Sequence, residues 1–540
     1  MKISFKPIPQ FRLIVIMAIF FGLFSNQSFF LNVVKVYPLT IHNIFFVISL
    51  FFILVSFIVI IFSLFSFKYT IKPMFIIVLL ISSFTSYFMQ TYNVVIDDGM
   101  IRNSLQTNLN ESLDLFSIKL VLYVIFLGVI PSIYIYKQQI EFYTFRKEFF
   151  IRLKVIAVSL AVIIVLLLSF SKFYTSFFRE HKPLRYYTNP TYWIYSIGNY
   201  IYKTSKNGPV VVKTIGENAK IVENEEIEPK ELVILVVGEA ARADRFSLNG
   251  YARETNPLLS KENDLVSLQN MHSCGTSTAV SVPCMFSIFG KEDYDYDKGI
   301  STQNVLDVLV NTGSVDILWR DNNSDSKGVA LRVPYEDYKT PDKNTICDTE
   351  CRDEGMLVGL DKYIDSHKSR DILIVLHMMG NHGPAYYKRY TKEFEKFKPV
   401  CNTNQLEECS AETIGNAYDN AILYTDYFLS KVIKLLKSYD KTHEAAMFYI
   451  SDHGESLGES GLYLHGLPYF MAPDFQTHVA SAIWFGEGMK EDINMTKLKG
   501  YTNKYFTHDN IFHSLLGLFE VDTALYVPEK DILYNVKIPE

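Results

Sequence analysis

The sequence predicts an α-helical membrane domain of five transmembrane helices joined to an α/β domain, and three observations carry that prediction. Apolar runs crowd the first third of the chain, and all six cysteines fall in the remainder. Past residue 231, short apolar segments alternate with longer helical stretches. At 540 residues the chain exceeds one ordinary core. Charge divides at the same place: residues 1–171 hold 13 Lys and Arg against 6 Asp and Glu, and residues 172–540 hold 39 against 52. The acidic second part argues against nucleic acid as a partner, because a basic stripe supplies most of that affinity.

The apolar runs lie at roughly 13–34, 44–67, 73–90, 120–136 and 155–171, and each approaches the ~20 residues that cross a bilayer. The first has a basic prelude (Lys2, Lys6, Arg12) like that of a signal peptide. No small-residue cleavage site follows it and four more runs do, so it reads as a retained anchor. Asn26 and Gln27 interrupt this run, and nothing in the sequence explains them. With the N-terminus in the cytoplasm, that side collects ten Lys and Arg (Lys2, Lys6, Arg12, Lys68, Lys72, Lys137, Arg146, Lys147, Arg152, Lys154) against three (Lys35, Arg102, Lys119). Positive charge favours the cytoplasmic side. Five spans then place everything after residue 171 outside it. The cysteines agree, since their close pairing suggests disulfides Cys274–Cys284, Cys347–Cys351 and Cys401–Cys409 in an oxidising compartment, although other connectivities are open. A zinc knuckle would need CxxC spacing, which is absent.

The loop near 91–119 carries Asn103, Thr107 and Glu111 at i, i+4 and i+8, one stripe of a helix. A merely solvated face would look the same. Residues 172–230 interleave Tyr, Phe and Trp with charge and then turn polar, as expected of a bridge along a bilayer interface followed by a linker. The expected domains are therefore a membrane part at 1–171, the bridge at 172–230 and a catalytic part at 231–540.

Within that last part, ELVILVVGEA, SVDILWRDNN, RDILIVLHMMGNHG and AAMFYISDHGES each run apolar and end abruptly in polar residues. Such strands, with helices between, indicate a largely parallel sheet, whose ligand site lies beyond the strands' carboxyl ends. The first strand delivers Glu239, and the last delivers Asp452 and His453, ligands that suit zinc. The stretch MHSCGTSTAVSVPCMFSIFG sets Thr278 between Cys274 and Cys284. An alcohol nucleophile needs a base or a metal to activate it. Thr278 as a fourth ligand would meet that need, though Pro283 limits the regularity of any helix it opens. Other strand ends supply His377, His382 and Lys327, and His465 follows soon after Asp452. Lys327 suits a phosphate oxygen, while His382 and His465 suit proton transfer or a second metal. Glu455 and Glu459 read as supporting or solvent-facing. Taken singly, each of these is an ordinary loop residue; their convergence at strand ends favours chemistry.

Together, VVGEAARADRFSLNGY, SCGTSTAVSVPCMFS, LWRDNNSDSKG, MGNHGPAYYKRY and YISDHGESLGE followed by YLHG resemble the phosphoethanolamine transferases of Gram-negative inner membranes. That family includes lipid A modifying and mobile colistin-resistance enzymes. The resemblance covers essentially the whole chain. It implies an alkaline phosphatase/sulfatase-like catalytic domain in the periplasm, and a multi-pass anchor in the inner membrane. By the same resemblance, Thr278 is the nucleophile that carries phosphoethanolamine, and Glu239, Asp452, His453 and Thr278 hold one tightly bound zinc. His382 and His465 contact substrate or a second zinc. Asn323, Ser324 and Lys327 bind the phosphoethanolamine group, and Asn103, Thr107 and Glu111 meet the lipid donor.

The implied reaction moves phosphoethanolamine from phosphatidylethanolamine to a phosphate of lipid A, giving polymyxin resistance; a monomer is expected. The segment CDTEC is shorter than the loop many relatives have there, which bears on the Cys347–Cys351 bridge alone. Alternatives stay open: another acceptor (a core sugar or a protein), a phosphoglycerol transferase, or a non-catalytic membrane scaffold with no need of zinc. A sulfatase would require a Cys/Ser-x-Pro-x-Arg nucleophile motif, and no such arginine follows Thr278.

Overall fold

The computed structural model describes residues 6–106, 109–179, 181–205, 211–221 and 229–538. The chain forms two compact units, one of residues 1–101 with 116–204, the other of residues 102–115 with 205–540.

In the first unit, four helices are long and apolar enough to cross a membrane: Ile44–Phe65, Ile71–Tyr92, Ile118–Lys137 and Phe145–Ser169. The last begins about ten residues before the apolar run expected at 155–171. Its opening turns include Arg146, Lys147, Arg152 and Lys154, so charge marks the end of the apolar stretch and not the end of the helix. The first expected span is a bent pair. It is two helices, α1 (Gln10–Phe24) and α2 (Gln27–Val36), bent by 55°.

Asn26 causes that break. It is fully buried, and its Nδ2 donates to the Phe21 carbonyl at 2.9 Å and to the carbonyl of Asn189. The Asn189 backbone N–H returns a bond to Asn26 Oδ1 at 2.8 Å. The Asn189 amide then donates to Ser82 O, Thr85 Oγ1 and Ser86 Oγ at 3.1, 2.9 and 2.9 Å, and accepts from Trp193 Nε1 at 3.1 Å. Backbone groups freed by a bend in apolar surroundings need such partners. Gln27, at the start of α2, is exposed.

The second unit is built on a seven-stranded sheet of β1 (Lys230–Gly238), β2 (Leu265–Ser267), β3 (Val315–Asp321), β4 (Tyr335–Asp337), β5 (Asp371–His377), β6 (His443–Ser451) and β7 (Ser481–Phe485). Their order is β2-β7-β6-β1-β5-β3-β4. The block from β6 to β4 is parallel, and β7 and β2 add antiparallel strands at one edge. Both faces are covered: Val233, Leu235 and Val237 of β1 enter one core, while Leu232, Ile234 and Val236 enter the other. That is why the strand reads as a continuous apolar run. Truncating one such leucine to alanine costs about 2–5 kcal/mol.

Register aligns the strand ends. Ser451 pairs with Gly238, Val237 with His377, and His377 with Asp321. Glu239, Asp452 and Asn322 therefore leave the sheet at one level. Three disulfides close in this unit, joining Cys274 to Cys284, Cys347 to Cys351 and Cys401 to Cys409.

Candidate active site

Glu239 follows β1 directly, and Asp452 and His453 follow β6. All three are fully buried. Their backbone is held from both sides: Asp452 Oδ1 accepts from Ala240 N at 3.1 Å, and the Asp452 N–H bonds Gly238 O at 2.9 Å. Ala240 sits at φ 53°, a left-handed conformation that costs a non-glycine residue and that surrounding structure must impose. Gly380 (φ 49°) crosses beneath Glu239, where a Cβ would lie 3.0 Å from the Glu239 carbonyl oxygen. Only glycine fits that approach.

Thr278 opens the eight-residue helix α3 (Thr278–Met285), which contains Pro283. Its Oγ1 donates to Glu239 Oε2 at 3.0 Å and lies 3.4 Å from His453 Nε2. The His453 Nε2 is also 3.2 Å from Glu239 Oε1 and 3.4 Å from Asp452 Oδ2. At the other side of the ring, Nδ1 lies 2.8 Å from Gly454 O. An Nδ1–H donated there leaves Nε2 facing the carboxylates.

One oxygen on each carboxylate, Glu239 Oε1 and Asp452 Oδ2, is buried with no hydrogen-bond donor among the described residues. Ligand atoms of Glu239, Asp452 and His453 all lie within 4.8 Å of one another. Unpaired buried carboxylate oxygens call for a cation, so the donor set fits a divalent metal. Burial would lower His453, yet Asp452 and Glu239 raise it, so the site concentrates negative charge around this imidazole. Burial and then Glu239 push Asp452 up to about 6. Burial would also raise Glu239, but His453 holds it well below the usual carboxylate range.

The remaining expected residues are placed as follows. The His465 ring centroid is 4.1 Å from that of His453 and 5.8 Å from that of His382. His465 Nδ1 lies 3.2 Å from Glu455 Oε1. The His382 Nδ1 has no partner among the described residues, and burial drives its imidazole down to about 3, so it is neutral. Asn323 donates to Glu239 Oε2 at 2.9 Å and to Met378 O at 2.8 Å, which fixes the carboxylate's orientation. Ser324 Oγ donates to Asn323 Oδ1 at 3.0 Å. Lys327 is buried at φ 50°, its Nζ 3.6 Å from Asp325. Glu459 pairs with Arg242 at 2.6 Å, away from the cluster. Asn103 lies in the helix Asp98–Gln106. Thr107 lies outside the described residues, as does the side chain of Glu111 in the helix Leu109–Asp114.

Sequence reasoning missed a second buried pair. Asp321 Oδ2 accepts from His377 Nδ1 at 2.9 Å and from Trp319 Nε1 at 3.0 Å. Burial would lower His377, but Asp321 raises it, with Asp452 and Glu239 contributing. The signal was present, for both residues end predicted strands.

Comparison with known proteins matches this architecture. Residues 231–521 match the sulfatase family, and residues 54–205 match the family of phosphoethanolamine transferase EptA/EptB. A membrane-anchored sulfatase-like domain with a threonine against two carboxylates and an imidazole defines the class, and the chain belongs to the phosphoethanolamine transferases. Among its relatives, it is 44% identical to phosphatidylethanolamine transferase Mcr-2 of Escherichia coli, over 95% of this chain and 96% of that one. It is 42% identical to Mcr-1 of the same species, over 96% of each. The solved integral membrane lipooligosaccharide phosphoethanolamine transferase A (EptA) of Neisseria meningitidis superposes with a TM-score of 0.95 at 34% identity, covering 99% of this chain and all of that one.

Proposed function

We propose that the enzyme transfers phosphoethanolamine from phosphatidylethanolamine to a phosphate of lipid A, with Thr278 as the relay. The observation that carries this reading is the Thr278 hydroxyl 3.0 Å from Glu239 and 3.4 Å from His453 Nε2, in a chain of this family. Glu239, Asp452, His453 and Thr278 would hold zinc, and His382 and His465 stand where a second ion or the substrate would meet them. When bound, the metal lowers the pKa of the hydroxyl and offsets charge on phosphoryl oxygens.

The chain's own residues do the rest. Glu239 accepts the hydroxyl hydrogen bond, and Asn323 keeps that carboxylate from rotating. Thr278 Oγ1 forms a bond to the donor phosphorus as the bond from phosphorus to the diacylglycerol oxygen breaks; that oxygen leaves with a proton. A lipid A phosphate oxygen then attacks the phosphothreonine, and the Thr278 oxygen departs and is reprotonated. The proton passes by way of His465, while neutral His382 offers its open Nδ1 to the substrate. Lys327 faces the phosphoryl oxygens.

Both lipids are reached from a monomer anchored in the inner membrane with this domain in the periplasm, a placement supported by the Lys/Arg bias and the disulfides. Each transfer adds an ammonium to the outer-surface lipid, and cationic peptides such as polymyxins bind it less. The test is mass spectrometry of lipid A from Gram-negative cells expressing the protein or Thr278→Ala. A phosphoethanolamine increment only with the unaltered chain is expected. An increment with both removes Thr278 from its role. None with either, the protein being present in the membrane, moves the acceptor to a core sugar or a protein.

A further inference from the structure

Residues 102–115 leave the membrane unit's sequence, join the catalytic unit, and return. Their last helical residue, Asp114, is held from three directions. Its backbone carbonyl accepts from Asn404 Nδ2, its Oδ1 from Lys388 Nζ, and its Oδ2 from Arg389 at 2.9 Å. The Arg389 side chain is 2% exposed and spends every face of its guanidinium: Nη2 on Asp114, Nη1 on Glu350, and Nε on the backbone carbonyl of His382 at 2.7 Å. Glu350 belongs to the five-residue ring closed by Cys347 and Cys351. Arg352, just beyond it, donates to Lys388 O at 2.5 Å. One planar cation thus joins the loop helix, the small disulfide ring and the main chain of His382. Asp114, Glu350, Lys388 and Arg389 also wall a cavity of about 340 Å³ that reaches Asn322 and Met379 at the strand ends.

We propose that Asp114 and Arg389 are positioning residues: docking of the loop helix, through this ion-paired latch, sets the His382 backbone and so the imidazole used in transfer. The inference rests on the proposed role of His382. Arg389 has a fork geometry that serves three acceptors at fixed angles, which lysine cannot reproduce. Removing the Asp114 charge breaks the Arg389 Nη2 bond and loosens the guanidinium plane whose Nε holds the His382 carbonyl. The small ring closed by Cys347 and Cys351 presents Glu350 to Arg389.

The test uses full-length protein in vesicles of phosphatidylethanolamine with lipid A as acceptor, comparing Asp114→Asn, Asp114→Glu, Arg389→Lys and His382→Ala. Misplacement of a catalytic group by about 1 Å costs about 100-fold, so Asp114→Asn and Arg389→Lys should lower kcat by about 10- to 100-fold. KM for the donor and metal content should stay near those of the unaltered protein, the unfolding midpoint should fall as the buried pair is broken, and Asp114→Glu should recover most of kcat. Unchanged kcat in Asp114→Asn beside an inactive His382→Ala rejects the latch alone. A loss of activity that only matches the loss of folded or metal-loaded protein, unrescued by Glu, makes Asp114 merely structural and also rejects it. A fully active His382→Ala rejects the reading of His382 itself.

Discussion

Two buried polar clusters stand in apolar surroundings in this protein, and they are finished differently. In the membrane unit, the Asn26–Asn189 cluster meets the bonding capacity of both amides with backbone, hydroxyl and indole partners. At the sheet's carboxyl edge, Glu239 and Asp452 each keep an oxygen without a donor. The first cluster is complete by itself and bends a helix. The second is complete only with a cation or a reacting group, and that distinguishes a structural polar core from a chemical one.

The sharpest way to break this comparison is to remove the reacting group. Thr278→Ala should lower transfer by about 1000-fold or more, measured as phosphoethanolamine gained by lipid A, with folding intact. A polar cluster that was only structural would lose stability and keep activity in proportion to folded protein.

Next comes the cation. Chelation, or Glu239→Gln, should abolish transfer and lower the unfolding free energy by about 3–4 kcal/mol, the stabilisation given by a ligand present at about 100 to 1000 times its Kd. Metal analysis alongside thermal unfolding checks this. If Glu239→Gln retains the full metal content, the donor set has been misassigned.

The membrane cluster should respond in the opposite sense. Asn189→Ala should cost about 1–3 kcal/mol, read as detergent or thermal resistance of the whole chain. Specific activity of the remaining folded protein should not change.

The smallest effect sharpens the rule. Asp426 is buried like Glu239, but both its oxygens accept backbone N–H bonds, from Leu258 and Leu259, at 2.9 Å each. Burial still raises its carboxyl to about 7, so here a proton supplies what the N–H groups do not. In the unfolded chain, the same carboxyl ionises near about 4. Between those values the folded protein binds a proton the unfolded chain has lost, so this group's contribution to stability falls as pH rises from about 4 to about 7. Asp426→Asn should flatten that part of the stability profile. An unaltered slope in pH-dependent unfolding would place the titration elsewhere.

The sequence reveals those parts of this architecture that local pattern encodes. Apolar runs ending in EA, DNN, HMMG and SDHG announce parallel strands, and their shared edge brings Glu239, Thr278, Asp452 and His453 together. What escapes it depends on partners far along the chain. Asn26 looks like an unexplained interruption until Asn189, 163 residues on, comes to meet it. Arg389 reads as one basic residue in KRY, because nothing local shows Asp114 and Glu350 converging on it. Asp321 and His377 each end a predicted strand, yet only the register sets them side by side. Periodicity records which face is buried, and it carries no record of which polar groups will be buried together.

The bridge between Cys274 and Cys284 has a consequence of timing. Thiols pair only where oxidation prevails over the cell's reducing pool, and Thr278 sits inside the loop this bridge closes. A chain whose catalytic part has not yet reached such a compartment possesses every residue of the site without the brace that fixes the nucleophile's turn. On the proposed role of Thr278, an oxidising destination is thus a condition for the braced turn.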